Sequence, residues 1–216
     1  MAVSANILAV GDLHGCRDLL EKVLNEVVPQ VPAGVRLVFL GDYIDRGPDS
    51  AGVLEVLLQL RRERPDTVLL MGNHERMLLD AVEGRNQFMF RYNGGEETLA
   101  SYGLGFDRLA DIPPAHLDLL RGLPLYHQEG AYLFVHAGLR PGVPLERQEE
   151  SDFLWIREEF YTSQVPLGRK VIFGHTPFPR PLVRPELFGI DTGAVYGGQL
   201  SCLHLPSEKF FHLNNS

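Results

Sequence analysis

The chain has 216 residues, 44% of them hydrophobic and 22% charged, with a formal net charge of −8. That is enough chain and apolar content for one globular domain with a sizeable core, and the negative balance argues against general affinity for nucleic acid or an anionic membrane. Two cysteines, Cys16 and Cys202, give neither a disulfide framework nor a CxxC pair. No apolar stretch approaches the roughly 18 residues of a membrane span, and the N-terminus lacks the basic region of a secretory signal. A cytoplasmic protein with reduced thiols is the expectation.

Five short apolar runs, rich in branched residues, each end at a polar side chain. Ile7–Val10 stops at Gly11-Asp12-Leu13-His14, and Leu37–Leu40 stops at Gly41-Asp42. Val68–Met71 stops at Gly72-Asn73-His74, Tyr132–Val135 at His136, and Val171–Phe173 at Gly174-His175. Such runs read as buried strands. Between them, Arg17–Val28 carries Leu19, Leu20, Val23, Leu24 and Val27 at helical spacing, ended by Pro29 and Pro32. Asp49-Ser50 caps a second predicted helix from Ala51 to about Arg64, and Glu75–Val82 reads as a short third. This β-α-β-α-β order predicts parallel pairing with right-handed crossovers.

Residues 84–128, punctuated by Gly94-Gly95, Gly103, Gly105 and Pro113-Pro114, read as a helical cap within a single domain spanning 1–216. Short helical pieces are expected at Glu96–Tyr102 and Ala115–Arg121. Gly138–Pro144 reads as a loop, Ser151–Tyr161 as one helix and Pro177–Pro185 as an irregular loop. A closing pair of strands is expected at Ala194–Tyr196 and Leu200–Leu205, joined by Gly197-Gly198.

Open α/β sheets place their sites just past the carboxyl ends of strands. Five strand ends therefore predict one site that gathers Asp12, His14, Asp42, Asn73, His74, His136 and His175. Mixed oxygen and nitrogen donors suit Mn, Fe or Zn better than Ca or Mg. Asp12 and His14, at i and i+2 on an extended segment, project to one side. A carboxylate at position 42 can bridge two cations, since each of its oxygens has lone pairs. Asn73 reads either as a neutral oxygen ligand or as a helix cap. An imidazole at 74 paired with Asp45 would be held in one tautomer and biased toward its protonated form, which makes His74 a candidate general acid. Arg46 offers a planar fork for phosphate oxygens, or a surface ion pair with Asp45 or Asp49. Arg157 is a second candidate clamp, or a solvated helix residue paired with Glu158 or Glu159. A lone histidine at a strand end is usually structural, but the coincidence of five such ends is not. His116, His127, His204 and His212 have no such setting and read as structural or surface residues.

In order, G-D-L-H-G, G-D-Y-I-D-R-G, G-N-H-E, H-A-G and G-H-T closely resemble the phosphoprotein phosphatases of the calcineurin-like metallophosphoesterase superfamily, in the compact bacterial and phage form that includes lambda protein phosphatase. The resemblance runs from residue 11 to about 200. It implies an α/β fold in which two mixed β-sheets form a sandwich flanked by helices. It implies two divalent metal ions, Mn2+ first, with Fe or Zn as other candidates. Asp12 and His14 would hold the first ion, Asp42 would bridge, and Asn73, His136 and His175 would complete the second. His74 would be the general acid with Asp45 as its partner, and Arg46 and Arg157 would bind the substrate phosphate. The implied reaction is hydrolysis of phosphoserine or phosphothreonine, and of phosphotyrosine as a variant, in a phosphoprotein or phosphopeptide by direct attack of a water that bridges the metals.

A sibling activity on the same scaffold is symmetrical bis(5'-nucleosyl)-tetraphosphatase. Those enzymes resemble this chain in the first motif and the closing D-T-G, but usually read A-R-G where this chain has Asp45-Arg46-Gly47 and end the third motif in Asp. Asp45 and Glu75 thus rank the phosphoprotein reading first. A non-catalytic phosphate-binding module should have lost a ligand or the acid, and none is missing.

Overall fold

Short strands buried on both faces require cover on both sides, and the computed structural model, which describes residues 6–214, provides it with helices outside two stacked sheets. The strands are β1 (Ile7–Val10), β2 (Arg36–Phe39), β3 (Val68–Leu69), β4 (Tyr126–Glu129), β5 (Tyr132–Val135), β6 (Lys170–Phe173), β7 (Leu182–Arg184), β8 (Leu187–Gly189), β9 (Asp191–Thr192), β10 (Gln199–Leu205) and β11 (Lys209–Asn214). The helices are α1 (Arg17–Lys22), α2 (Ser50–Glu63), α3 (Asn73–Val82), α4 (Gln87–Phe90), α5 (Glu96–Ser101), α6 (Pro114–Arg121), α7 (Glu150–Trp155) and α8 (Glu158–Tyr161). One sheet runs β11-β10-β1-β2-β3, with β9 also on β10; the other runs β4-β5-β6-β8-β7. The β1–β2, β2–β3, β5–β6 and β6–β8 pairs are parallel, the first two as the strand–helix alternation predicts, and the β1–β10, β9–β10, β10–β11, β4–β5 and β7–β8 pairs are antiparallel.

Alternation along each strand divides the core. Ile7, Ala9, Val38 and Leu40 meet Phe134, Ile172 and Phe188 between the sheets. Leu8, Val10, Leu37 and Phe39 turn the other way and pack with Leu19, Leu20, Val53 and Leu57 of α1 and α2. On the outer face of the second sheet, Leu133, Val135, Val171 and Phe173 pack on Phe153 and Phe160. Double cover explains why the runs read as continuously apolar rather than alternating. Each such side chain contributes about 1.5–3 kcal/mol on burial. Among the described residues no helix is long and apolar enough to cross a membrane.

Four details depart from the sequence reading. The helix from Arg17 loosens into a wider turn over Val23–Val27 and tightens over Val28–Gln30, which takes in Pro29, before the chain turns extended at Val31. The expected helix Ser151–Tyr161 is broken at Arg157, whose φ/ψ is −131°/−110°. An unbroken helix would splay side chains 155 and 157 about 200° apart. Ala194–Tyr196 is a tight helical turn between Gly193 and Gly197, both left-handed at φ 70° and 84°, so it is not a strand. The antiparallel partner of β10 in the closing segment is instead β11, a partly exposed edge strand with a weak apolar pattern. Finally, the Pro177–Pro185 stretch is irregular only in part, since Leu182–Arg184 pairs with Leu187–Gly189.

Candidate metal centre

The loops that leave β1, β2, β3, β5 and β6 converge, and their backbones are strained where they do. Seven described non-glycine residues have positive φ, and five are His14 (43°), Asp42 (51°), Asp45 (71°), Arg46 (70°) and His175 (63°). Such conformations persist only where surrounding bonds over-determine them, and they cluster at functional sites. Here His14 N donates to Asp42 O (2.8 Å), and Arg46 N donates to Gly94 O (3.2 Å). Space is equally tight. A Cβ on Gly174 would lie 2.1 Å from Asp12 Oδ1, and one on Gly72 would lie 2.3 Å from Asp42 Oδ1. Only glycine lets His175 and Asn73 follow their strands so closely.

Asp42 is the centre of the cluster. Its Oδ2 faces His14 Nε2 at 3.5 Å and His74 Nε2 at 3.9 Å, while Oδ1 faces His136 Nε2 at 3.4 Å. Two groups of potential ligand atoms result, His14–Asp42–His74 and Asp42–His136–His175, with the atoms of each within 4.8 Å of one another. One carboxylate thus belongs to both. Asn73 Oδ1 lies 2.9 Å from His136 Nε2 and 2.9 Å from His175 Nδ1. Asp12 Oδ2 accepts from His175 N (2.9 Å).

The donor set fits cations. His14 Nδ1 donates to Ile44 O and His136 Nδ1 to Leu40 O, each at 2.9 Å, which leaves Nε2 of both rings as a lone pair. The His136 lone pair then faces oxygens of Asn73 and Asp42 with no proton between them. Asp12 Oδ1 and His175 Nε2 are buried with no hydrogen-bond partner. Buried acceptors aimed at one another are costly unless a positive partner satisfies them. Neutral imidazoles with carboxylate and amide oxygens are the donor chemistry of a first-row divalent metal.

Electrostatics sort the same groups. Burial would raise the Asp42 carboxyl, yet the four surrounding imidazoles, His136 foremost, hold it below the ordinary range. Burial pushes His14 down to about 3 and His175 to about 2, and lowers His136, so all three are neutral and able to bind metal. Asp12 is raised by burial and by Asp191 and Asp42. His74 differs from the other rings: burial lowers it, but Asp42 and Asp45 prevail and its pKa is raised. Its Nδ1 donates to Asp45 Oδ2 at 2.6 Å.

The sequence-predicted residues are all brought together. Arg46 Nη1 donates to His14 Nε2 (2.8 Å), and its guanidinium lies 5.5 Å from the Tyr196 ring. Arg157 Nη1 donates to His175 O (3.3 Å) and Thr176 Oγ1 (3.4 Å). Neither arginine makes the surface ion pair that spacing also allowed. Helix α3 begins at Asn73 and is capped by Gly72, so Asn73 is not the cap. The four remaining histidines bond elsewhere, His116 to Tyr102 and Glu55, His127 to Glu129, His204 to Asn6 and Ser207, and His212 to Ser201.

Three residues lie at the site that the sequence reading did not place among its ligands, acid or clamps. Glu75 accepts from Gly72 N (2.9 Å), Asp42 N (2.9 Å) and Tyr43 N (2.8 Å), tying the second and third loops together; burial and Asp42 push it up to about 8. Its place one residue after His74 was the available signal. Thr98, on α5, donates to Asp45 Oδ1 (2.6 Å) and accepts from Asp45 N (2.8 Å). Nothing in the sequence around Thr98 pointed to it. Asp191, pushed up to about 6 chiefly by burial, lies close enough to Asp12 to raise it.

The sequence profile of the calcineurin-like phosphoesterases matches residues 5–203. Bis(5'-nucleosyl)-tetraphosphatase PrpE (asymmetrical) of Oceanobacillus iheyensis is 30% identical over 225 residues, covering 93% of this chain and 89% of its own. A solved structure provisionally assigned as a diadenosine tetraphosphatase superposes with a TM-score of 0.78 at 26% identity, covering 100% of this chain and 96% of its own. A protein serine/threonine phosphatase from Saccharomyces cerevisiae shares the fold, with a TM-score of 0.70 at 18% identity over 100% of this chain and 81% of its own.

Proposed function

The chain belongs to the calcineurin-like phosphoesterases, and we propose that within this family it hydrolyses a dinucleoside tetraphosphate, cutting it asymmetrically. The observation that carries the reading is the likeness, across 93% of the chain, to a relative named for that activity. The sequence letters at Asp45 and Glu75 ranked a phosphoprotein substrate first and a symmetrical tetraphosphatase second. The relatives reverse that order and favour asymmetrical cleavage.

In this reading Asp12, His14 and Asp42 would hold one divalent cation, and Asp42, Asn73, His136 and His175 would hold the other. Two such cations, of Mn, Fe or Zn, supply Lewis acidity that polarises phosphoryl oxygens and acidifies water. Arg46 and Arg157 donate to the non-bridging oxygens of the phosphoryl group under attack, as charge builds there. The His74 Nε2 proton passes to the leaving oxygen, while Asp45 holds the opposite Nδ1–H and so fixes the ring. Glu75 takes no part in proton transfer; it sets the distance between the Asp42 and Asn73 loops.

A second reading, phosphomonoester hydrolysis on serine or threonine, draws on the same His74–Asp45 pair, because an alkoxide needs a proton more than a nucleotide does. One experiment separates them. Protein supplied with Mn2+ is given diadenosine tetraphosphate and, in parallel, a phosphoserine peptide. The proposal expects ATP and AMP as products. Two molecules of ADP would support symmetrical cleavage, and peptide dephosphorylation with intact dinucleotide would overturn the proposal in favour of the second reading.

A further inference from the structure

A dinucleotide has bases as well as phosphates, and the centre described above accounts only for the phosphates. Beside it lies a cavity of about 410 Å³, lined by residues including Met77, Asn86, Met89 and Trp155. That size lies within the ~300–1,000 Å³ of small-molecule sites. Of the elements that line the cavity, α3 carries residues of the centre and α7 ends just before one. Met77 is one turn along α3 from Asn73, and Trp155 ends α7 two residues before Arg157. The Trp155 ring stands edge-on to His175, with centroids 6.2 Å apart. Arg76 and Glu150, both in the lining, join α3 to α7 by an ion pair between Arg76 Nε and Glu150 Oε1 (2.8 Å). Trp155 keeps 40% of its surface exposed and Met89 keeps 42%, large apolar areas for a monomer's surface to leave open.

We propose that this cavity is the subsite for a purine nucleoside of the substrate, with the base stacked on Trp155. The inference rests on the dinucleotide reading of the preceding subsection. Four of the nine lining residues suit a purine, and the charged Arg76, Asp80, Arg85 and Glu150 line most of the rest. An indole face stacks on any base. The thioethers of Met77 and Met89 make polarisable contacts with an aromatic ring. The Asn86 amide pairs a donor with an acceptor, the pattern that reads adenine at N6 and N7. The helix break at Arg157 acquires a purpose here: it turns Trp155 toward the base and Arg157 toward the phosphate, both beside His175.

Trp155 is the only tryptophan in the chain, so intrinsic fluorescence reports on this one ring. Metal-loaded protein is titrated with AMP and, as a base-free control, with ribose 5-phosphate. Saturable quenching by AMP alone is the expected result; equal responses to the two, or no response to AMP, overturn the proposal. In steady-state kinetics Trp155→Ala raises KM for diadenosine tetraphosphate roughly 5- to 100-fold, the loss of one stacked base, with a smaller change in kcat, and Trp155→Phe recovers most of it. An unchanged KM in Trp155→Ala would sink the subsite. Quenching by AMP in a protein that leaves the dinucleotide intact would overturn the substrate reading while supporting the subsite. Hydrolysis of the dinucleotide without quenching does the reverse.

Discussion

Thr98→Val tests whether the cap segment positions the acid. Valine keeps the shape of threonine and removes its hydroxyl. Asp45 is fully buried, and Thr98 Oγ1 is bonded to it twice, to Oδ1 at 2.6 Å and to the backbone N at 2.8 Å. The backbone N retains Ser50 Oγ at 3.1 Å, so the uncompensated loss falls on the carboxylate. A hydrogen bond to a charged group is worth about 1.5–3 kcal/mol. For a chain of this length each kcal/mol shifts Tm by about 2–4 °C, so a fall of about 3–12 °C is expected. If the loss is also felt in the transition state through the orientation of His74, kcat drops roughly 10- to 100-fold. KM should hold steady, because Thr98 does not touch substrate in this mechanism. Thr98→Ser restores the hydroxyl and should recover most of both effects. Thermal melting and a kcat–KM split on Mn-loaded protein are the measurements. A Thr98→Val protein that melts with the wild type and turns over at its rate would refute the chain of positioning from α5 to Asp45 to His74.

His74→Ala should retain its metal yet slow an alkyl phosphomonoester by about 10²–10⁴, the usual contribution of a general acid. An activated aryl phosphate should slow far less, and equal losses on both would remove the acid role. Asp42→Ala should lose metal occupancy and rate together; full metal content by elemental analysis would exclude Asp42 as the shared ligand. Two raised groups lead the pH dependence of the metal-free protein, and Asp12, Asp45 and Asp191, also raised by burial, act in the same direction. Glu75 is raised from 4.5 to about 8, so the folded state keeps a proton that the unfolded chain releases, and stability falls as pH rises through that window. His74, raised above 6.5, contributes stability that is complete below 6.5 and lost above it. The lowered His14, His136 and His175 oppose this in part, because each imidazole of the unfolded chain is still half protonated at pH 6.5; as those protons leave, the three together return about 1 kcal/mol by pH 8. Chelator-treated protein should therefore be less stable at pH 8 than at pH 6.5, by about 2 kcal/mol from Glu75 alone at ~1.4 kcal/mol per pH unit. A flat or rising Tm between those values would contradict it.

The centre was legible in the sequence because its ligands sit at strand ends, and strand ends are marked twice, by the close of an apolar run and by a glycine. Gly72 and Gly174 mark those ends because a side chain there would collide with Asp42 or Asp12. Thr98 was invisible for the opposite reason. It lies in α5, whose sequence records only a short helix, and its contact with Asp45 spans 53 residues that no local pattern connects. The break at Arg157 was hidden because Ile156 and Phe160 keep helical spacing across it, so the apolar pattern is the same with or without the break. The edge strand β11 was missed because one of its faces is solvated and its apolar residues are few. Pairing with an edge is decided by the neighbour already in place, here β10, which lies outside the reach of a local reading.

Dividing the site into two parts explains how one scaffold can resemble both protein phosphatases and dinucleotide hydrolases. On the proposed mechanism Asp12, Asp42, Asn73, His74, Arg46 and the strand-end histidines act on the phosphoryl group alone, which makes them compatible with either substrate. The nucleoside subsite proposed above lies outside that set, on α3, on α7 and on the segment around Met89, and the cap supplies Thr98. Those elements are held by contacts of lower cost to change, such as the partly exposed Arg76–Glu150 ion pair. A change at Trp155 or Met89 alters which leaving group is seated without disturbing Asp42, whereas a change at Gly72 or Gly174 reaches the carboxylates directly. Substrate choice can therefore drift while the metal-binding set stays fixed, and the letters of the phosphoryl-binding motifs are poor witnesses to the substrate. Asp45 illustrates the point: its side chain and backbone N bond His74, Thr98 and Ser50, and none of these lines the cavity proposed for the nucleoside.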